Sequence, residues 1–211
     1  GSGKSTLLKL IAGLERPSTG QKKIKGKIVS NDDIIVSPQK RNVGLVFQDF
    51  ALFPHLTVKE NISFGLKKDK TKKVEELLKK IKMEGYGNRY PSELSGGQEQ
   101  RVSIARTLAL NPELLLLDEP FSSLDTNLKS DLRQEIKQII KAIGQSMIFI
   151  THDIFDALDI ADEIIFLKDG NLIRHSSIKN VYKDVDNEYL IKNMKELKSN
   201  AERILKAVNN K

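Results

Sequence analysis

The sequence of 211 residues predicts an α/β fold with a mostly parallel sheet. The apolar run at 114–117, LLLL, is typical of a central parallel strand that is covered on both faces. A second apolar run at 147–150, MIFI, predicts another buried strand, and the amphipathic segment at 126–143 predicts a helix between the two. The run at 43–47, VGLVF, predicts a third buried strand, so strands and helices alternate along the chain.

Composition and charge restrict the class of protein. Hydrophobic residues make up 39% of the chain and charged residues 30%, as in ordinary globular proteins. The chain has no cysteine, which excludes a disulfide framework and cysteine-based metal sites. Its longest apolar runs are too short to cross a bilayer, and no signal peptide is visible. The net charge of +7 fits an anionic partner or a solvated lysine-rich surface, and the interleaving of lysines with acidic residues favours the surface.

The first six residues, GSGKST, match the end of the phosphate-binding loop G-x-x-x-x-G-K-[ST]. Gly3, Lys4 and Ser5 occupy its last three positions, so its first glycine would precede Gly1. We therefore expect an N-terminally truncated chain that also lacks the strand feeding this loop. Backbone N–H groups, the positive end of the next helix and the lysine would hold phosphates, while the serine hydroxyl would bind Mg²⁺. The predicted nucleotide-binding residues are Gly1, Ser2, Gly3, Lys4, Ser5 and Thr6.

The residues after this loop predict a buried helix followed by short strands. Apolar residues at 7, 8, 10, 11 and 14 predict the helix, and the turn at 17–20, PSTG, ends it. Isoleucine and valine near 24, 28–29 and 34–36 predict three short strands separated by turns. These strands precede the buried strand at 43–47.

Residues 48–83 predict a helical region. Gln48 closes the preceding strand, and Thr57 with Glu60 three positions later has the pattern of a helix capping box. Phe50 and Phe53 look exposed, which would suit a docking patch, although both are also compatible with the core. Apolar residues at 74, 77, 78 and 81 predict an amphipathic helix over 67–83.

Charged and polar residues follow the two buried strands where each ends. Asp118 and Glu119 come after the strand at 114–117, at the edge where open α/β sheets bind ligands. Neighbouring residues of an extended chain point to different sides, so Asp118 would serve Mg²⁺ through water while Glu119 faces an attacking water as general base. His152 follows the strand at 147–150, where its imidazole would hydrogen-bond a phosphate.

Residues 94–125 carry the motifs of a known family. LSGGQ at 94–98 opens an amphipathic helix, and LLLLDEP follows at 114–120. In these motifs the chain resembles the ATP-binding cassette (ABC) ATPases, whose signature is LSGGQ and whose Walker B strand ends in this acidic pair. The resemblance implies an ABC ATPase domain at 1–186, with a P-loop NTPase (RecA-like) core and an inserted α-helical subdomain at about 49–105. A C-terminal helical extension would occupy 187–211.

The resemblance also assigns roles to residues beside the nucleotide. Gln48 would reach both the Mg²⁺ and the attacking water, so that Ser5, Gln48 and Asp118 are the expected metal ligands. His152 would be the switch histidine that reports loss of the γ-phosphate. The expected catalytic residues are therefore Glu119, His152 and Gln48.

A second copy of the chain is implied as well. The helix N-terminus at the signature would accept the γ-phosphate of an ATP held by another copy, in a head-to-tail homodimer. The signature residues are Ser95, Gly96, Gly97 and Gln98, and Asp125 of the D-loop would contact the partner copy.

The implied function is the ATP-binding and hydrolysing subunit of an ABC importer. The stretch at 43–66 resembles subunits that import ferric iron, molybdate or sulfate, or polyamines, and it favours an inorganic ion such as ferric iron. Dimer closure on ATP and hydrolysis would drive uptake through a membrane permease, served indirectly by an external solute-binding protein. The subunit would lie at the cytoplasmic face of the membrane as a peripheral protein, and no nucleic acid is expected.

Two alternatives stay open. A soluble ABC ATPase acting on nucleic acid or the ribosome usually carries coiled-coil insertions or two cassettes, and neither is visible. An inert fragment is the other alternative, because a missing central strand would expose strand edges and weaken ATP binding.

Overall fold

The computed structural model describes residues 2–122 and 126–181, with the backbone alone for 126–128. In these ranges the elements are, in order, α1 (Lys4–Ala12), β1 (Lys22–Ile24), β2 (Lys27–Ser30), β3 (Val43–Val46), α2 (Val58–Ser63), α3 (Lys70–Lys80), α4 (Gly96–Leu108), β4 (Leu114–Asp118), α5 (Thr126–Ile143), β5 (Met147–Ile150), α6 (Ile154–Ile160), β6 (Glu163–Lys168) and β7 (Asn171–Ser177). Two compact units are present: Gly1–Ile160 with Leu167–Asn171, and Ala161–Phe166 with Leu172–Lys211. Within the described ranges, no helix has the length and hydrophobicity needed to span a membrane.

A parallel sheet lies at the centre of the first unit. Its strand order is β3-β4-β5, and the pairs Val46↔Leu117 and Leu117↔Phe149 align the carboxyl ends of all three strands. The predicted parallel sheet with a central LLLL strand is therefore confirmed. Because the strands end together, whatever follows each of them is brought to one edge of the sheet.

β4 is buried on both faces, as its apolar sequence predicts. Leu115 and Leu117 belong to a large cluster formed with α2, α3, α4 and α5. Leu116 points the other way and packs with Leu8 and Ala12 of α1. Alternate side chains of a strand face opposite sides, so one strand anchors two cores and its last residues are held firmly in place.

The long helices follow the predicted patterns. Capping at the start of α2 is confirmed, since the Thr57 hydroxyl accepts the N–H of Glu60 while the Glu60 carboxylate accepts the N–H of Thr57. The four apolar positions predicted to face inward from the segment at 67–83 are buried, although α3 itself begins at Lys70 and ends at Lys80. The predicted helix at 126–143 has the bounds of α5. Periodicity thus located these faces correctly.

The prediction for the first helix is partly wrong. α1 ends at Ala12, before the turn at 17–20, because Gly13 adopts the left-handed conformation with φ 85° and donates its N–H to Lys9 O. Leu7 and Leu14 are exposed, since the face of α1 that meets the sheet carries Leu8 and Ala12, four positions apart. The apolar residues of this segment therefore extend beyond the face of α1 that is buried.

A buried guanidinium satisfies the carbonyls at this end of α1. Arg41 donates to the carbonyls of Leu10 and Ile11, which α1 leaves without partners at its C-terminus. A cation is favoured at that negative end of a helix. A Cβ at Gly13 would lie 2.4 Å from Arg41 Nε, so a side chain there would displace the guanidinium.

The structure also shortens one of the predicted strands. β1 and β2 pair antiparallel, but the predicted strand at 34–36 is reduced to a single bridge between Ser30 and Ile35. In the second unit, His175 lies within β7, and its Nε2 is 3.2 Å from Glu163 Oε2.

Candidate active site

The residues after Gly1 form the turn that leads into α1. Gly3 has φ 84°, a left-handed conformation that favours glycine, and α1 begins at the next residue. Lys4 Nζ donates to Ser2 Oγ at 2.7 Å, so the ammonium lies over the loop. The first turn of α1 contains no acidic residue. Its free N–H groups and positive dipole end therefore present an anion site, with Ser5 and Thr6 exposed on the same turn.

The turn between β6 and β7 lies against this loop. The N–H of Gly170 donates to the carbonyl of Ser2 at 3.3 Å. A Cβ on Gly3 would come within 3.4 Å of Gly170 Cα, so the backbone of this turn lies close to Gly3. The loop geometry is thus supported from a second element.

The two predicted carboxylates lie at the end of β4, but not as an extended pair. Asp118 is the last residue of β4, whereas Glu119 has φ 44° and leaves the strand in the left-handed region. The Glu119 N–H donates to Ile150 O at 3.0 Å, which ties this turn to the end of β5. The expectation of simple strand alternation is therefore wrong at Glu119. A non-glycine residue in this region stores strain of about 1–2 kcal/mol, as functional residues often do.

The electrostatics of Asp118 reflect its neighbours. Burial raises the pKa of its carboxyl, the negative charge of Glu119 raises it further, and Lys9 acts in the opposite direction. A cation bound at Asp118 would offset both unfavourable effects.

His152 contacts Glu119 directly. Its Nδ1 lies 3.0 Å from Glu119 Oε2, so the strand-end residues of β4 and β5 meet across the edge of the sheet. The imidazole is 66% exposed and the carboxylate 26%, which leaves the pair open on one side. When Nδ1–H donates to the carboxylate, Nε2 is free to face a ligand, and only the protonated imidazole can donate from it. Such a pair can orient a water molecule and take up its proton.

Gln48 follows the third strand of the sheet. It lies two residues beyond Val46, which pairs with Leu117 of β4. Glu119 lies two residues beyond Leu117, so Gln48 and Glu119 occupy corresponding positions. The side chain is exposed, and among the described residues no hydrogen bond joins it to Ser5 or Asp118. The structure therefore places Gln48 at the expected edge without bringing the predicted metal ligands into mutual contact.

The loop after Gln48 is held by residues that the sequence did not single out. Ser103 Oγ donates to Phe50 O at 2.8 Å, and the Arg106 guanidinium donates to Ala51 O at 2.7 Å and to Phe50 O at 3.2 Å. Phe50 and Ala51 both have positive φ, at 58° and 45°. α4 thereby clamps two consecutive left-handed residues. A serine and an arginine in an amphipathic helix gave no local signal of this role.

Phe50 is buried, so of the two alternatives left open for this residue the core position is the one found. Phe53 is half-buried and packs against Phe64, with ring centroids 4.4 Å apart, while Arg106 lies 5.2 Å above the Phe53 ring. The exposed aromatic residue of this cluster is Phe64.

The signature forms the predicted helix start. Ser95 caps α4 in a capping box: its Oγ accepts the Gln98 N–H, and the Gln98 side chain accepts the Ser95 N–H at 3.0 Å. A Cβ on Gly97 would meet the Leu132 side chain at 3.6 Å. Within the described part of the chain, these bonds stay inside the first turn of α4. Asp125 and Gly1 lie outside the described residues.

A parallel sheet in the order β3-β4-β5, with an acid–histidine pair at the carboxyl ends of β4 and β5, is typical of the P-loop NTPase fold. The ABC transporter family model matches residues 1–122. The chain belongs to the ABC transporter family.

Two curated relatives and one solved structure illustrate the similarity. The chain is 48% identical over 188 residues to the sulfate/thiosulfate import ATP-binding protein CysA of Synechocystis sp., covering 86% of this chain and 52% of the relative. It is 41% identical over 196 residues to the spermidine/putrescine import ATP-binding protein PotA of Oleidesulfovibrio alaskensis, covering 90% and 52%. A dimeric post-hydrolysis structure of the ATP-binding cassette MJ0796, bound to ADP and Pi, is similar with a TM-score of 0.67 and 35% identity, covering 84% of this chain and 81% of that one. The chain spans about half the length of these two curated relatives.

Proposed function

We propose that the chain is the ATP-binding and hydrolysing part of an ABC import subunit. The observation that supports this most is the contact between Glu119 and His152 at 3.0 Å, beside Asp118 at the carboxyl end of β4. It lies at the sheet edge where parallel α/β folds bind ligands. The family membership and the ADP and Pi in MJ0796 agree with a nucleotide as the ligand.

Phosphate binding falls to the start of α1. The N–H groups of the first turn and the Lys4 ammonium would hold the β- and γ-phosphates, while Thr6 lies on the α-phosphate side. Serine hydroxyl, glutamine amide and aspartate carboxylate supply the oxygen donors that Mg²⁺ prefers, so Ser5, Gln48 and Asp118 would hold this ion. When bound, Mg²⁺ would neutralise charge on the phosphates.

Glu119 is the proposed general base. Its carboxylate would accept a proton from water as the water oxygen bonds to the γ-phosphorus and the bond to the ADP oxygen breaks, giving ADP and phosphate. His152 would orient the Glu119 carboxylate through Nδ1 and contact the γ-phosphate through Nε2. The roles of Gln48 as water-positioning residue and His152 as switch remain part of this proposal.

A homodimer would complete the site. Ser95, Gly96, Gly97 and Gln98 would contact the nucleotide of the other copy in a head-to-tail arrangement, with Asp125 at the dimer interface. The N–H groups at the N-terminus of α4 would face that phosphate. The inserted helical subdomain at about 49–105 would contact transmembrane permease subunits, and the extension at 187–211 would follow the ATPase domain.

The subunit would be peripheral, at the cytoplasmic face of the membrane. The solute would be selected by the permease and an external binding protein. The names of the two relatives favour sulfate or thiosulfate, with a polyamine second. Neither of them supports ferric iron, the ion that the sequence motif favoured.

Replacing Glu119 with glutamine tests the proposal. In the intact protein, Glu119→Gln should still bind ATP but lower turnover by about 100-fold or more, because an amide cannot accept the proton. Glu113→Gln is the matched control, since Glu113 precedes the opposite end of the same strand. Phosphate release at saturating Mg-ATP measures both. Turnover that survives in Glu119→Gln would remove Glu119 from the proposed role.

A further inference from the structure

A buried network lies behind the His152 loop. The Arg133 guanidinium on α5 pairs with the Asp156 carboxylate on α6, with Nε and Oδ1 3.0 Å apart. The contact is an ion pair rather than an aligned hydrogen bond. Both side chains are nearly inaccessible, at 9% and 4% exposure. The network thus joins two helices away from solvent.

Thr151 connects this pair to the histidine. Its hydroxyl donates to Asp156 Oδ2 at 2.6 Å and accepts the N–H of Asp153 at 3.0 Å. His152 therefore lies between two residues that are tied to the same hydroxyl. These two bonds hold the backbone on both sides of His152.

A second carboxylate fixes the arginine itself. Arg133 Nη1 donates to Asp159 Oδ2 at 2.6 Å, and Lys137 Nζ donates to Asp159 O at 2.7 Å. One guanidinium thus holds two residues of α6, three positions apart on one face of that helix. Its orientation toward Asp156 is determined by this fork.

Stability alone is a poor reason for such a pair. Removing two charges from water costs several kcal/mol per ion, and apolar residues of the same volume often stabilise a fold as well or better. A buried pair gains an explanation when it fixes a neighbouring group. Here that group is the Thr151 hydroxyl, one residue from the histidine that contacts Glu119.

We propose that Arg133, Asp156 and Thr151 are positioning residues that hold His152 against Glu119. The proposal rests on the proposed ATP hydrolysis, and it deepens that function by naming the residues that set the geometry of the pair. Misplacing a reacting group by about 1 Å can lower a rate by about 100-fold. Loss of the Thr151 hydroxyl should therefore lower kcat more than it changes KM.

The test compares Thr151→Val with Thr151→Ser in the intact protein. Valine keeps the shape and removes the hydroxyl, so we expect kcat for Mg-ATP to fall about 10-fold to 100-fold with KM within about twofold. Serine keeps the hydroxyl and should restore most of kcat. Thr107→Val is the matched control, because Thr107 Oγ1 also donates within a half-buried site, to Ser103 O at 3.0 Å, without touching His152.

A double-mutant cycle separates positioning from general destabilisation. In a His152→Ala background, Thr151→Val should lower kcat by less than about twofold further, because the group it positions is gone. A full further loss in that background, or an equal loss in Thr107→Val, would overturn the proposal. If Thr151→Val does not fold, Asp156→Asn, which keeps the side-chain shape, takes its place in the cycle. If Thr151→Val has a normal kcat and Glu119→Gln is inactive, the positioning network is rejected and the proposed function stands. If the wild type is inactive, both proposals are rejected.

Discussion

Two loops flank β4 at the edge of the site, and they are held in different ways. The loop after β5 carries His152 and is fixed by side chains, through Thr151, Asp156 and Arg133. The loop after β3 carries Gln48 and is fixed through main-chain carbonyls, which accept bonds from α4. His152 already contacts its partner Glu119, whereas the Gln48 side chain is exposed.

His152 is therefore held in place before ligand binds, whereas the Gln48 side chain is not. Anchoring at Thr151 holds the backbone next to His152, but anchoring at Phe50 and Ala51 begins two residues beyond Gln48. Those two residues also have left-handed backbones, which cost about 1–2 kcal/mol each and must be offset by the bonds from α4. We therefore expect the loop after β3 to rearrange when ligand binds and the loop after β5 to keep its geometry.

The largest effect is expected from Arg106→Ala. The change leaves the carbonyls of Phe50 and Ala51 without the guanidinium, so the strain there is no longer offset, and the free energy of unfolding should fall by about 2–3 kcal/mol. Arg101→Ala on the same helix is the control, because Arg101 contacts Ile81 O and Glu135 rather than the loop, and should lose about 1 kcal/mol or less. Urea unfolding measures both. Equal losses in the two variants would show that α4 does not clamp this loop.

A smaller effect, which depends on pH, is expected on the free energy of unfolding through Asp156 of α6. Burial raises the pKa of Asp156; the Thr151 hydrogen bond lowers it, Asp153 raises it, and Arg133 and Lys129 lower it. A carboxyl whose pKa is higher in the folded state than in the unfolded chain favours folding when protonated, and that contribution is lost as the pH rises through the folded pKa. When the pH is lowered from about 7 to about 4, the free energy of unfolding of wild type should therefore increase relative to that of Asp156→Asn. Urea unfolding of both proteins across this range measures it, and a constant or opposite trend would contradict the account.

Much of this frame was predictable from the sequence, because it depends on local pattern. The LLLL run of β4 predicted a strand covered on both faces, and the capping-box pattern at Thr57 and the LSGGQ motif predicted two helix starts. The LLLLDEP motif predicted that Asp118 and Glu119 lie at the carboxyl end of a buried strand, where the structure has them. These signals involve residues within a few positions of one another.

The remainder depends on contacts between distant residues. The left-handed turn at Glu119 and its 3.0 Å contact with His152 join positions 33 residues apart. Arg133 lies among the inward apolar positions of α5, and nothing local indicated that two carboxylates of α6 would receive it. Phe50 is buried and has a left-handed backbone, a conformation that phenylalanine rarely adopts, and its carbonyl is held by Ser103 and Arg106 of α4, more than 50 positions away.

The central claim is that Glu119 and His152 act as one unit in ATP hydrolysis. Single-turnover hydrolysis rates of the intact wild type, Glu119→Gln, His152→Ala and the double variant test it most directly, with the free energy of unfolding measured for each protein. Because groups acting as a unit have non-additive effects, we predict that the double variant is about as slow as Glu119→Gln alone. A double variant slowed by the product of the two single effects would show that the residues act independently and would contradict this account.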